Sequence, residues 1–167
     1  MIGNKEIKWL WFSLVFILVL SCELEQTNYP PEPFIEFKDL QVIDSGSVLG
    51  SARYFKIHFY LIDGDGNIGP IYHPDFEGKN CNIELFYKSG ANYQLDTLIL
   101  DDARWFEIPY VGDLGQDKAL KADIYIDYGP FVEAQREYAN FFLTITVYDM
   151  ALNKSNTIHT DTIILDK

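Results

Sequence analysis

The chain predicts an all-β fold, an antiparallel sandwich of about seven short strands in two stacked sheets. Three observations predict it. Apolar residues recur at every second position in several separate runs, polar turn signals divide those runs, and no long stretch keeps the 3.6-residue period of an amphipathic helix. Side chains leave alternate faces of a strand, so one buried face per strand produces such a pattern. Without the spacing of βαβ units, two antiparallel sheets are the expected architecture, with a closed barrel as the alternative.

In chain order, the first element is not part of that core. Lys5 and Lys8 precede the uncharged run WLWFSLVFILVLS, Trp9 to Ser21. Such a run suits the apolar part of a secretory leader and falls short of the ~20 residues that span a bilayer as a helix. It ends in VLSC, with small Ser21 directly before Cys22. Residues 1–21 are thus expected to be a lipoprotein signal peptide, with Cys22 the site of lipid attachment; an ordinary secretory leader with a chance cysteine is the alternative. Two acyl chains on one cysteine suffice for stable anchoring, whereas a single chain holds only marginally. Residues 22–33 then form the tether. TNYPPEP, Thr27 to Pro33, holds three prolines, which favour extended polyproline geometry.

Residues 34–167 are the expected domain. Phe34–Ile43 is a first strand-like run. Phe55, Ile57, Phe59 and Leu61 alternate with Tyr54, Lys56, His58 and Tyr60, and Cys81, Ile83, Leu85 and Tyr87 with Asn82, Glu84, Phe86 and Lys88. KSGAN, Lys88 to Asn92, is a hairpin loop with Gly90 available for positive φ, and Tyr93–Leu100 is the returning run. Leu120, Ala122, Ile124 and Ile126 alternate with Lys121, Asp123, Tyr125 and Asp127. The segment Phe131–Ala139 has room for a short helical turn. Phe141, Leu143, Ile145 and Val147 alternate with Phe142, Thr144, Thr146 and Tyr148, and Thr157–Leu165 closes the series.

Composition narrows the function. Hydrophobic residues are 48% of the chain and aromatics 16%, enough for a packed core. Net charge is -12, and loss of the leader, which removes Lys5, Lys8 and Glu6, makes it -13. That balance argues against a nucleic-acid partner, which demands clustered Lys and Arg. With lipid on Cys22, Cys81 has no partner for an internal disulfide; it reads as a small buried hydrophobe.

Catalytic patterns are few. His58, His73 and His159 match no HExxH zinc spacing, and the chain contains no P-loop, no Gly-x-Ser-x-Gly elbow and no Cys-x-x-Cys pair. Asp101 and Asp102 read as solvated loop charge. One stretch is chemically suggestive: LIDGDGNIG, Leu61 to Gly69, places Asp63, Asp65 and Asn67 at alternate positions. These are the first three ligand positions of an EF-hand loop, but the sixth and twelfth are Ile68 and Pro74 rather than Gly and Glu, which excludes an EF-hand. Two readings stay open. Asp-Gly-Asp-Gly-Asn satisfies the backbone demands of a tight turn, and Asp63, Asp65 and Asn67 would hold calcium weakly if Asp149 or Asn153 approached from another loop. Tyr54, Tyr60, Tyr125 and Tyr148 are candidates for an aromatic surface able to stack on sugar rings or anchor a protein.

The stretch EYANFFLTITVYDMALNKSNTIHTDTIIL, Glu137 to Leu165, resembles the last two strands of bacterial immunoglobulin-like domains. In those domains a Tyr-led strand runs into an Asp-x-Ala-Gly-Asn-x-Ser turn. Here the turn is Asp149-Met150-Ala151-Leu152-Asn153-Lys154-Ser155, with Leu152 in the glycine's place, and Tyr138 falls where a corner tyrosine often sits. Together with VLSC, LIDGDGNIG, and Glu23 and Glu25 close behind Cys22, the chain looks like a small envelope lipoprotein of the Bacteroidota. The resemblance implies an outer-membrane, surface-exposed, lipid-anchored module without catalytic activity that binds or scaffolds an envelope protein. A carbohydrate-binding lipoprotein is the alternative, and a small envelope enzyme, which would need a cleft of convergent titratable groups, is third.

Overall fold

The computed structural model describes residues 29–47, 50–110, 119–132 and 140–164. The leader, Cys22, Tyr138 and most of Phe131–Ala139 lie outside the described residues. Nine strands are described: β1 (Phe34–Ser47), β2 (Gly50–Asp63), β3 (Cys81–Ser89), β4 (Asn92–Leu95), β5 (Trp105–Phe106), β6 (Leu120–Val132), β7 (Asn140–Val147), β8 (Ile158–His159) and β9 (Ile163–Ile164). A single 3₁₀ turn, Asp101–Arg104, precedes β5. No described helix is long and apolar enough to cross a membrane.

All pairings are antiparallel, and the strands divide between two sheets. One runs β1-β2-β6 and the other β4-β3-β7-β8, with β5 on β3 and β9 on β7. First, second and sixth strands facing third, seventh and eighth is the division of an immunoglobulin-like sandwich, where strands A, B and E face C, F and G. The expected fold class is the observed one.

Alternation decides which face is buried. Phe55, Ile57, Phe59 and Leu61 of β2 are fully buried, as are Ile83, Leu143, Ile145 and Val147 from the opposite sheet. Where the alternation of β1 breaks, a register shift between Phe37 and Asp39 restores it: Lys38 is the extra residue of a bulge, and Leu40 is brought back to pack against the core. At the β3–β4 hairpin, Gly90 has φ +63° at the first of two loop positions, a value that a Cβ makes costly. Cys81 is free and fully buried, and burial pushes its thiol pKa well up, so it packs as a hydrophobe.

Two expected strands are cut short. Tyr93–Leu100 yields only Asn92–Leu95, because the Asp96 carboxylate accepts the Leu98 N–H at 2.8 Å and turns the chain. Thr157–Leu165 becomes the two short pieces β8 and β9. The Thr160 hydroxyl accepts the Leu143 N–H at 3.0 Å and Ser155 Oγ accepts the Val147 N–H at 2.9 Å, so side chains serve β7 where a regular ladder would place backbone carbonyls. Asn156 extends the device across the sandwich, accepting the Ile35 N–H and donating to the Ile35 carbonyl, both at 2.8 Å.

Phe55 and Phe141 meet edge-to-face across the two sheets with centroids 5.4 Å apart. Phe55→Ala should cost about 3–5 kcal/mol of unfolding free energy, read from urea denaturation midpoints, since both the transfer energy and a cavity are involved.

Candidate cation site at one end of the sandwich

Both sheets end at a cluster of loops. β2 ends in Asp63, and Leu120 of β6 pairs with it. β7 ends at Val147, opposite Cys81 of β3. Asn80 holds this end together from inside. Fully buried, its Nδ2 donates to the carbonyls of Gly69 and Ile108, and its Oδ1 accepts the Ile108 N–H at 2.6 Å. A buried polar side chain with every group satisfied fixes the loops it joins. Sequence reading missed Asn80; its one signal was a polar residue set directly before an apolar strand.

LIDGDGNIG folds as a turn locked by its own side chains. Asp63 Oδ2 accepts the Asn67 N–H at 2.7 Å, and Asn67 Nδ2 donates to Asp65 Oδ2 at 2.9 Å. The two glycines answer different demands. Gly66 has φ +68°. Gly64 instead makes room for a close approach: the carbonyls of Tyr29 and Pro30 occupy the space a Cβ there would need. This segment of the tether is therefore packed on the domain. Tyr29 lies under the Lys121 ammonium, 4.5 Å from ring centroid to Nζ, and Pro33 is buried.

A second loop meets the first. The Asp149 carboxylate accepts the Asn153 N–H and side-chain amide, each at 2.7 Å, and the Met150 N–H donates to the Asn67 carbonyl at 3.1 Å. Leu152 carries φ +68°, so it adopts the left-handed conformation that its counterpart glycine supplies in the turn it resembles. The contact places one carboxylate oxygen each of Asp63, Asp65 and Asp149 within 4.8 Å of one another. Asn67 is bonded to two members of the set, whereas Asn153 binds Asp149. Among the described residues no Lys, Arg or His forms an ion pair with any of the three carboxylates.

Electrostatics records the crowding. Burial first, then the neighbouring Asp65 and Asp149 charges, push the Asp63 carboxyl from 3.8 to about 6, against the lowering effect of the Asn67 N–H. Asp63 Oδ1 and Asn67 Oδ1 are buried without a hydrogen-bond partner. Three carboxylate oxygens form a hard-ligand set of the kind that holds a calcium-type cation.

The remaining candidates fall elsewhere. Tyr54, Tyr60 and Tyr125 lie on the outer face of β1-β2-β6, where His58 stacks on Tyr125 at 4.3 Å and 14° and accepts or donates a 2.8 Å bond with Asp123. Tyr148 does not join them; it packs with Phe76 and Trp105 beside the other sheet. His73 pairs with Asp75, and His159 meets the Phe142 ring. Asp102 sits in the 3₁₀ turn and pairs with Lys79. It borders a cavity of about 390 Å³ lined also by Ile99, Trp105, Phe106 and Tyr128; the histidines and the carboxylate cluster are absent from its wall. No family model, curated protein or solved structure matches the chain.

Two outcomes are expected. Leu152→Gly should stabilise the protein by about 1 kcal/mol in urea midpoints, since Leu152 is exposed and the strain of its backbone outweighs the entropy a glycine adds to the unfolded chain. The second concerns pH. The Asp63 carboxyl titrates near 3.8 when unfolded and near 6 when folded, so its contribution favours the fold below about pH 4 and is lost as pH rises through 6. With chelator present, the stability of the wild type relative to Asp63→Asn should therefore fall between pH 4 and pH 7.

Proposed function

We propose that the protein is a non-catalytic binding or scaffolding module, held at the bacterial cell envelope by lipid on Cys22 and presented at the outer membrane surface to an envelope protein. Support for the anchor is in the sequence: VLSC closes an apolar run too short to span a bilayer. The observation that carries the protein partner is the free edge of β1. Among the described residues no strand pairs with its outer side; Asn156 occupies the backbone of Ile35 at its start, and Val42 and Ile43 are exposed farther along. Glu36, Lys38 and the bulge guard the first half of the strand; Gln41–Ile43 has only neutral side chains. An unguarded strand edge is a template for pairing with an extended segment of another chain.

Glycan capture is the second reading, favoured by Tyr125, which is 60% exposed with its ring flat on His58. An exposed aromatic ring of this kind can stack on a sugar.

Cys22→Ser should move the protein from the membrane fraction to the soluble fraction while leaving the β-sheet circular dichroism unchanged. Retention in the membrane fraction would remove the anchor. A glycan array separates the two ligand classes: no glycan should bind, and binding abolished by Tyr125→Ala would replace the protein partner with a sugar.

A further inference from the structure

We infer that Asp63, Asp65 and Asp149 form a calcium site that clamps one sheet of the sandwich to the other. Asp63 is the last residue of β2, in the β1-β2-β6 sheet, and Asp149 stands two residues beyond the end of β7, in the other sheet. The two strands reach each other only across the core, and their ends are joined here by the Met150–Asn67 backbone hydrogen bond. An ion held by both carboxylates would add a second link at that point.

Turn chemistry explains part of this loop but not all of it. The Asp63 Oδ2 bond to the Asn67 N–H and the Asp149 bonds to Asn153 close their respective turns. Neither turn requires the other's carboxylate nearby, and like charges at this separation repel. The second observation is the orphaned oxygen. Asp63 has no exposed surface, and its Oδ1 has no hydrogen-bond donor; Asn67 Oδ1, in the same loop, has none either. A buried carboxylate oxygen without a donor is costly unless a cation meets it.

The donor set selects the ion. Every candidate ligand atom is oxygen, which excludes thiophilic metals and disfavours those that want imidazole. Three carboxylates, each able to bind through one or two oxygens, suit the six to eight ligands and loose geometry of calcium better than the strict octahedron of magnesium. Asp65 is exposed, so water can complete the shell on that side. A site of this openness belongs with the calcium sites of extracellular modules, whose dissociation constants are about 0.1–1 mM.

The test uses the mature chain, stripped with chelator and held at neutral pH. Calcium at about 10 mM should raise the melting temperature by about 5–10 °C, and equal magnesium should raise it by less than half as much. Asp65→Asn should abolish the calcium response while leaving the metal-free melting temperature unchanged or higher, because one of three repelling charges is gone. A purely structural role for Asp65 predicts the opposite, a lower melting temperature with the calcium response intact. Hydrogen exchange distinguishes a clamp from a local loop site: calcium should slow the amides of Asn67 and of Asn153 together. The proposal is overturned by no calcium shift in the wild type, by equal shifts in wild type and Asp65→Asn, or by protection confined to residues 63–69. If Asp149→Asn fails to fold, Asp65→Asn alone decides the matter, since its side chain is exposed.

Discussion

Burial of the inner face of β2 against the inner face of β7 is the constraint on which the rest of this structure depends. Phe55, Ile57, Phe59 and Leu61 enter from one side and Phe141, Leu143, Ile145 and Val147 from the other. Because side chains alternate along each strand, this contact sets the register of the β1 and β6 neighbours as well. It also sets where both strands stop. Asp63 and Asp149 meet because the chains that carry them are packed to a common depth, and Asn80 ties the Gly69 and Ile108 backbones of this end together with hydrogen bonds.

The polar end of the sandwich contrasts with its middle. In the middle, area removed from water stabilises the fold without directional demand. At the end, Asn80, Ser155 and Asn156 stand in for backbone partners that irregular loops do not supply. Such bonds contribute little net free energy each, but leaving one unmade inside the protein is expensive. The loops around Asp63 and Asp149 are therefore held in one arrangement despite the mutual repulsion of their carboxylates.

The period-two runs were legible because a half-buried strand writes its burial directly into the sequence, and every inward residue of β2, β3 and β7 falls where alternation puts it. What stops a strand was less legible. Asp96 and Thr160 end or interrupt runs whose apolar content continues, through side-chain bonds to backbone groups that no window of composition reveals. Asp63, Asp65 and Asn67 were readable as a set because they are local. Asp149 was readable only as a condition, since its approach depends on packing between sheets across 86 residues of chain. The role of Gly64 was hidden for the same reason: it answers to Tyr29 and Pro30, not to its own backbone angles.

The path of Tyr29 and Pro30 over Gly64 has a directional effect. The polypeptide enters the sandwich at the pole where β2 and β7 finish, so anything fastened upstream keeps that pole nearest the fastening point. From Cys22 to Tyr29 is seven residues, a leash of at most about 25 Å. With lipid on Cys22 as proposed, the far pole, where β1 ends and Gly90 turns β3 into β4, would be the one held outward.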